Sequence, residues 1–421
     1  MRNVVSNLDI FNSHPAWPEV QKIWANLNAN GFEALLAGGC VRDLIMHRVP
    51  KDFDIATNAT PDEVAKLYPK ALSVGREFGV IILAYENFQI EIASFRRDGP
   101  YLDGRRPSHI VLATPEEDAR RRDFTVNALF FNIGSLEVID YVDGVKDIQA
   151  KLIKAVGDPA LRFTEDKLRM LRALRFSSQL DFEIEASTLR AISEKRNELG
   201  QVSSERITDE ICKWLNCSNL LPCLNGLWTT GLLKRLHSNF EKYFDQSAYD
   251  DLTSYFSTSL INISISVKLC LLFSCFVKKN QDIEFDDLKH SLKSMKFSKD
   301  QISEVLWILK YYFKFFNFKD LALYEQIEIC AHSSVSSLRD FSRIVNPSLS
   351  KSLEPQFLLI NKEYLVNAKL PKAFLDGESL KALGFKPGRE MGEALKEIYR
   401  LQIEKKITTP QEALNFAKRK L

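Results

Sequence analysis

Apolar positions recur at helical spacing over residues 18–28, which predicts a helix there. The apolar run at 34–36 and the alternating acidic and apolar residues at 52–56 predict strands, with a helix beginning over 41–46 between them. Thr60 followed three residues later by Glu63 is a capping box, so a further helix is predicted over 61–68. The runs 80–85 and 89–95 are β-rich, and the turn-like Glu86-Asn87 between them predicts a hairpin. Up to about residue 140 the chain therefore reads as a mixture of strands and helices.

From about residue 159 onward helical periodicity dominates, punctuated by Ser/Asn/Gly/Pro clusters, and nearly all of the remainder is predicted to be helical. Val345-Asn346-Pro347-Ser348 suits a loop between helices. The most apolar stretch, 260–277, is interrupted by Asn262, Ser264, Ser266 and Lys268, so it predicts a buried helix rather than a membrane span. With 421 residues the chain has material for about three compact units. Its 57 basic and 55 acidic side chains leave a net charge of +2, which excludes a wholly polybasic mode of nucleic-acid binding but not a local basic face. Seven cysteines without a CxxC pair are expected to be reduced thiols, and Asn3, Asn7, Asp9 and Asn12 break any signal-peptide pattern, so a cytoplasmic location is expected.

The chemistry begins at Asp52-Phe53-Asp54. Side chains alternate along a strand, so both carboxylates are expected on one face, where their repulsion calls for a compensating cation. Glu91, in the second run of the predicted hairpin, offers a third carboxylate; three such groups on adjacent strands suit two magnesium ions and in-line nucleotidyl transfer. Upstream, Gly38-Gly39 follows an apolar strand and precedes a helix start, a turn whose N–H groups suit a triphosphate, with Arg42 adding a charged contact.

Gly38-Gly39-Cys40-Val41-Arg42-Asp43 followed by Asp52-Phe53-Asp54 resembles the head-domain signature of the class II, bacterial-type tRNA nucleotidyltransferases and their poly(A) polymerase relatives. The resemblance continues, in the family's order, through Arg121-Arg122-Asp123-Phe124-Thr125-Val126-Asn127-Ala128, Glu165-Asp166-Lys167-Leu168-Arg169 and Glu205-Arg206-Ile207, and is strong over about residues 30–215. It implies an α+β protein with a polymerase β-like head on a mixed sheet (1–140), then an all-α neck (141–215), body (216–355) and tail (356–421). It also implies CCA addition to tRNA from CTP and ATP with Mg2+, and no membrane or obligate protein partner. Addition of A alone, polyadenylation and an inactive RNA-binding homologue are the alternatives.

The resemblance assigns roles to particular residues. Asp52 and Asp54 would hold the metal with Glu91 in support, and Gly39, Arg42 and Arg122 the triphosphate, with Asp123 and Asn127 bracing the fold. Residues 165–176 read as one helix, along which Asp166, Arg169, Arg172 and Arg175 recur every third position. Asp166 and Arg169 align with the family's base-reading pair, and Arg172 and Arg175 with groups on the nucleotide's sugar or phosphate side. The physical logic is simple. A carboxylate only accepts and a guanidinium only donates, which complements the amine-plus-ring-nitrogen edge of C and A and mismatches U and G.

The Gly- and Pro-rich stretch 96–107 is predicted to be a surface loop rather than a strand, and the resemblance ties a loop here to addition of A. Gly75-Arg76-Glu77-Phe78-Gly79 and the segment 205–210 are similar to the tRNA-specific branch. The aromatic and lysine run 310–319 reads more readily as helix core than as a base-stacking surface. Lys386, Arg389, Lys405, Lys406, Lys418, Arg419 and Lys420 make the C-terminal end basic enough for phosphate contacts.

Overall fold

A computed structural model describes residues 3–4, 8–72, 79–99, 109–276 and 285–420. Its strands are β1 (Asn3–Val4), β2 (Ala34–Ala37), β3 (Phe53–Thr57), β4 (Val80–Ala84), β5 (Gln89–Ser94), β6 (Arg96–Asp98), β7 (Ile110–Leu112), β8 (Leu129–Asn132), β9 (Glu137–Asp140), β10 (Leu152–Ile153) and β11 (Glu183–Ile184). Seven of them form one sheet in the order β1-β9-β8-β2-β3-β5-β4. Within it β3 and β5 run parallel and the other neighbours antiparallel, so the sheet is mixed.

The alternation along β3 divides its two faces. Phe53 turns to one side, where its ring lies 5.1 Å from Phe11 and 5.5 Å from Trp17, the first residue of helix Trp17–Ala29. Ala56 turns to the other, into a buried cluster with Leu35, Ala37, Phe95, Ala119, Ala128 and Phe130. Asp54 shares parity with Ala56, so it emerges at the end of the strand on the face covered by helix Pro115–Arg121. The capping box at Thr60 and Glu63 forms as expected at the start of helix Pro61–Leu67, and β4 and β5 pair as the expected hairpin.

Two compact units result, Met1–Lys242 and Tyr243–Leu421. The expected head and neck thus fall in one unit together with residues 216–242. In the second unit, the expected loop at 345–348 shrinks to Asn346, whose side chain accepts from Leu349 N (3.1 Å) and caps helix Pro347–Tyr364 directly after helix Val335–Val345. The expected body and tail division at 355/356 falls inside helix Pro347–Tyr364, which continues through Pro355. Helix Ile265–Leu272 is buried from Ser266 onward, and among the described residues no helix is long and apolar enough to cross a membrane.

The run 310–319 packs as core, in agreement with its patterning. Tyr312, Phe315 and Phe318 are buried, and Phe315 and Phe318 lie 5.1 and 4.8 Å from Phe357. Much of the basic C-terminal end is occupied by internal pairs: Arg389 with Glu393, Lys406 with Glu404, and Lys420 with Glu397.

Candidate active site

Parallel pairing of β3 with β5 sets Asp54 directly opposite Glu91. Asp52 lies one residue before β3 rather than inside it. Desolvation by the surrounding protein, then the charges of Glu91 and Asp52, push the Asp54 carboxyl up to about 7, and Arg122 opposes them. Desolvation and Asp52 also raise Glu91. Asp54 remains open to solvent. The end of these strands is therefore an accessible cluster of mutually repelling carboxylates, the chemistry that a hard divalent cation neutralises. Among the described residues no three His, Cys, Asp or Glu side chains converge closely enough to form a metal cage by themselves. A cation here would need further oxygens from phosphates and water, which is how magnesium is usually held.

Gly38 makes the turn from β2 into helix Gly39–Ile45 at φ 74° and ψ −126°, where a Cβ would stand 3.0 Å from Arg122 Nη1. Backbone conformation and space both demand glycine. Arg42 is buried; its Nη1 donates to Asn127 Oδ1 (2.6 Å) and its Nη2 to Asp43 Oδ1 (2.8 Å). Arg122 donates Nε to Asp118 Oδ2 (3.0 Å) and Nη1 to the Asn127 carbonyl (3.2 Å), over the ring of Phe130. Burial works to raise Asp118, but Arg122 and Arg121 outweigh it and leave the carboxyl below the usual range. Gly38→Ala is expected to cost about 1–3 kcal/mol in backbone strain and to displace Arg122. A thermal melt together with nucleotide KM checks this, and an unchanged KM would contradict it.

The expected single helix over 165–176 is broken. Helix Pro159–Glu165 stops, Asp166 is extended (φ −144°, ψ 107°), and helix Arg169–Leu180 begins three residues later. The cause is partnering of the Asp166 side chain: Oδ1 accepts from Leu168 N (3.1 Å) and Oδ2 from Arg206 Nη2 (2.7 Å). Arg169 is fixed by Glu165 Oε2 (2.6 Å), the Arg162 carbonyl and the Arg121 carbonyl. Arg172 grips Asp123 Oδ2 through Nε and Nη2 at 2.9 and 2.6 Å. Burial acts to raise Asp123, but Arg172 and Arg169 overcome it and hold the carboxyl low.

Arg175, expected on the sugar or phosphate side of the nucleotide, is engaged by protein partners. It is buried, with Nε on Glu210 Oε2 (2.6 Å) and Nη1 on Gln179, so it ties helix Arg169–Leu180 to helix Ser204–Leu215. Sequence reasoning missed two members of this group. Phe176 receives the guanidiniums of Arg175, Arg172 and Arg42 at 3.9, 5.3 and 5.9 Å from its ring centre. Glu210 carries Arg175 from 35 residues away, a separation at which no local spacing signals a partner.

Residues 96–98 are strand β6 paired with β7, not the start of a loop; Arg96 and Asp98 form an ion pair at 3.1 Å there. Residues 100–107 of that stretch and 75–78 of the Gly75-to-Gly79 segment lie outside the described residues. A cavity of about 530 Å3 opens beside β6, lined by Arg97, Arg120, Arg121, Arg162, Asp98, Glu117 and Glu165. Its charges are internally paired, Arg97 with Glu117 and Arg162 with Glu165, so it is not a ready triphosphate well.

A mixed sheet with acidic residues at one mouth and a helical neck alongside defines a nucleotidyltransferase head of the poly(A) polymerase kind. Residues 34–154 match the family described as "Poly A polymerase head domain" and 181–244 that described as "Probable RNA and SrmB- binding site of polymerase A". The chain is 44% identical over 211 residues to a CCA-adding enzyme of Bacillus licheniformis, covering 50% of this chain and 53% of that one. It is 35% identical over 288 residues to a CCA-adding enzyme of Staphylococcus aureus, covering 68% and 67%. The chain belongs to the CCA-adding enzyme family. The match spans only about half of the B. licheniformis relative. A crystal structure of the Bacillus stearothermophilus CCA-adding enzyme in complex with CTP shares the fold, at TM-score 0.80 and 24% identity over 96% of this chain and 98% of that one.

Proposed function

We propose that this protein adds C, C and A to the 3′ end of tRNA, taking CTP and ATP and using no nucleic-acid template. The observation that carries the reading is the solvent-open carboxylate group of Asp52, Asp54 and Glu91 in a chain whose curated relatives are named CCA-adding enzymes. Asp52 and Asp54 are the protein's ligands for Mg2+, with Glu91 adding negative charge beside them. Held there, Mg2+ would supply Lewis-acid chemistry, favouring ionisation of the tRNA 3′-hydroxyl and offsetting charge on the leaving pyrophosphate.

Arg122, with the turn at Gly38 and Gly39 and the nearby Arg42, receives the triphosphate. Arg172, braced by Asp123, adds a further positive charge for the nucleotide. Asp166 accepts from the exocyclic amine of the incoming base and Arg169 donates to its ring nitrogen. The seven free cysteines suit a reducing, cytoplasmic setting.

The test supplies tRNA lacking one, two or three terminal residues with Mg2+ and each nucleotide alone, then CTP plus ATP. Extension of the shortest tRNA by C, C and A followed by a halt is expected. Starting only from an end in CC would assign A addition, a long A ladder polyadenylation, and no incorporation at all an inactive homologue.

A further inference from the structure

Asp52 lies one residue outside β3, at a strand end where the direction of its carboxylate depends on how the chain enters the ladder. Both residues that flank it are held by one side chain. His14 Nε2 stands 3.2 Å from the carbonyl oxygen of Lys51, 37 positions along the chain, and the imidazole meets the Phe53 ring edge-on at 5.2 Å. The other ring nitrogen settles the tautomer. Nδ1 accepts from Ala16 N (3.1 Å), so the ring proton sits on Nε2 and is donated to the Lys51 carbonyl. His14 is itself fixed in a turn: its N–H donates to the Phe11 carbonyl (2.9 Å) and its carbonyl accepts from Trp17 N (3.1 Å). Phe11 and Trp17 are buried against Phe53, so the turn that carries the imidazole rests on the residue between the two carboxylates.

We propose that His14 is a positioning residue for the metal site: by holding Lys51 and Phe53 it fixes the Asp52 carboxylate relative to Asp54, without touching cation, nucleotide or tRNA. This rests on the reading above that Asp52 is a ligand for Mg2+. Two like charges at a strand end move apart where the chain allows it. Asp54 is set by its ladder position opposite Glu91, so the freedom to separate belongs to Asp52. The bond from His14 to the Lys51 carbonyl removes that freedom before a cation arrives, and binding then does not have to order the chain as well. Without it Asp52 turns toward solvent and the cation is held less tightly. Contacts to the triphosphate and the base come from other elements and stay in place.

The experiment titrates the full chain with Mn2+ alone, followed by water-proton relaxation, and separately measures the Mg2+ concentration for half-maximal addition to tRNA lacking its CCA end. Wild type is compared with His14→Asn, His14→Gln, His14→Phe and Asp52→Asn. Asparagine can keep the acceptor for Ala16 but does not reach Lys51, whereas glutamine places an amide N–H near the position of Nε2. His14→Asn is expected to weaken Mn2+ binding and raise the half-maximal Mg2+ by about threefold to tenfold, the range of one net hydrogen bond. At saturating Mg2+, kcat and KM for CTP should return to the wild-type values, a split that general damage to the fold would not give. His14→Gln should recover part of the metal affinity. Thermal melts verify folding; should His14→Asn unfold, His14→Phe, which keeps a ring on Phe53 and lacks the donor, is read in its place with the same expectation. Wild-type Mn2+ affinity in the folded variant, with Asp52→Asn weakened, overturns the role of His14 alone, as does a loss in His14→Gln equal to that in His14→Asn. Mn2+ affinity unchanged in Asp52→Asn overturns the reading of Asp52 on which it rests.

Discussion

Asp54→Asn is expected to reduce nucleotide addition by at least about a thousandfold while making the metal-free protein more stable at pH 8. On the proposed function, the loss follows because Asp54 would hold the divalent cation whose charge favours nucleotidyl transfer. The gain follows from the position of Asp54, whose carboxyl is pushed up to about 7 by partial desolvation against the surrounding protein, then by the charges of Glu91 and Asp52. A carboxyl raised in the folded state contributes stability that is fully present below its unfolded value near 3.9, lost as pH rises, and gone once pH passes the folded value. Asparagine stands in for the protonated form. The variant's advantage in Tm, about 2–5 °C at pH 8 in chelator and low salt, should shrink steadily as pH falls toward 4. A variant no more stable than wild type at pH 8 would show that the three carboxylates do not strain the fold, and full activity would remove Asp54 from the chemistry.

Glu210→Ala is expected to produce the largest loss of stability. Glu210 accepts from Arg175 at 2.6 Å, and the side chains are 3% and 9% exposed, so truncation leaves a buried guanidinium without its carboxylate. Breaking a buried pair in this way costs about 3–5 kcal/mol, or roughly 6–20 °C in Tm for a unit of this size. Lys213, which also meets Glu210 but is exposed, should change stability by less than about 0.5 kcal/mol when truncated. Burial works to raise Glu210, but Arg175, Arg172 and Lys213 outweigh it and hold the carboxyl below its usual range. The stability this contributes is present above the unfolded value and lost as pH falls through the lower folded one. The wild-type and Glu210→Ala melting curves should therefore converge at acid pH. A gap that stays constant from pH 8 to pH 3 would assign the loss to packing instead of charge.

These two residues differ in how far the sequence announces them. Asp54 sits two positions after Asp52, and period-two alternation is a property of any strand, so its face could be read before any fold was known. Its partner across the ladder was accessible too, because Glu91 lies in a run recognisable as half of a hairpin. Glu210 carries no such mark. Its value comes from Arg175, on another helix, and no rule of local spacing brings those positions together.

The segment 159–180 shows where local reasoning gives the wrong answer. Periodicity and helix propensity sum over neighbours, and over 165–176 they sum to one uninterrupted helix. The chain instead leaves the helix at Asp166, where a hydrogen bond to Leu168 N and a distant guanidinium compensate for the lost backbone bonds. Likewise the Gly- and Pro-rich composition of 96–107 concealed strand β6, which exists because β7 supplies its hydrogen bonds.

The sequence by itself determined the class of each half, the capping box at Thr60 and the hairpin of β4 and β5. All of these depend on residues close together along the chain. Only the tertiary structure decided which charge neutralises which: Arg172 with Asp123 across 49 positions, Arg206 with Asp166 across 40, Arg175 with Glu210 across 35. The reason is that a buried ion must find its counterion wherever the packed backbone brings one within 3 Å, and that meeting is set by the crossing of elements, not by their order.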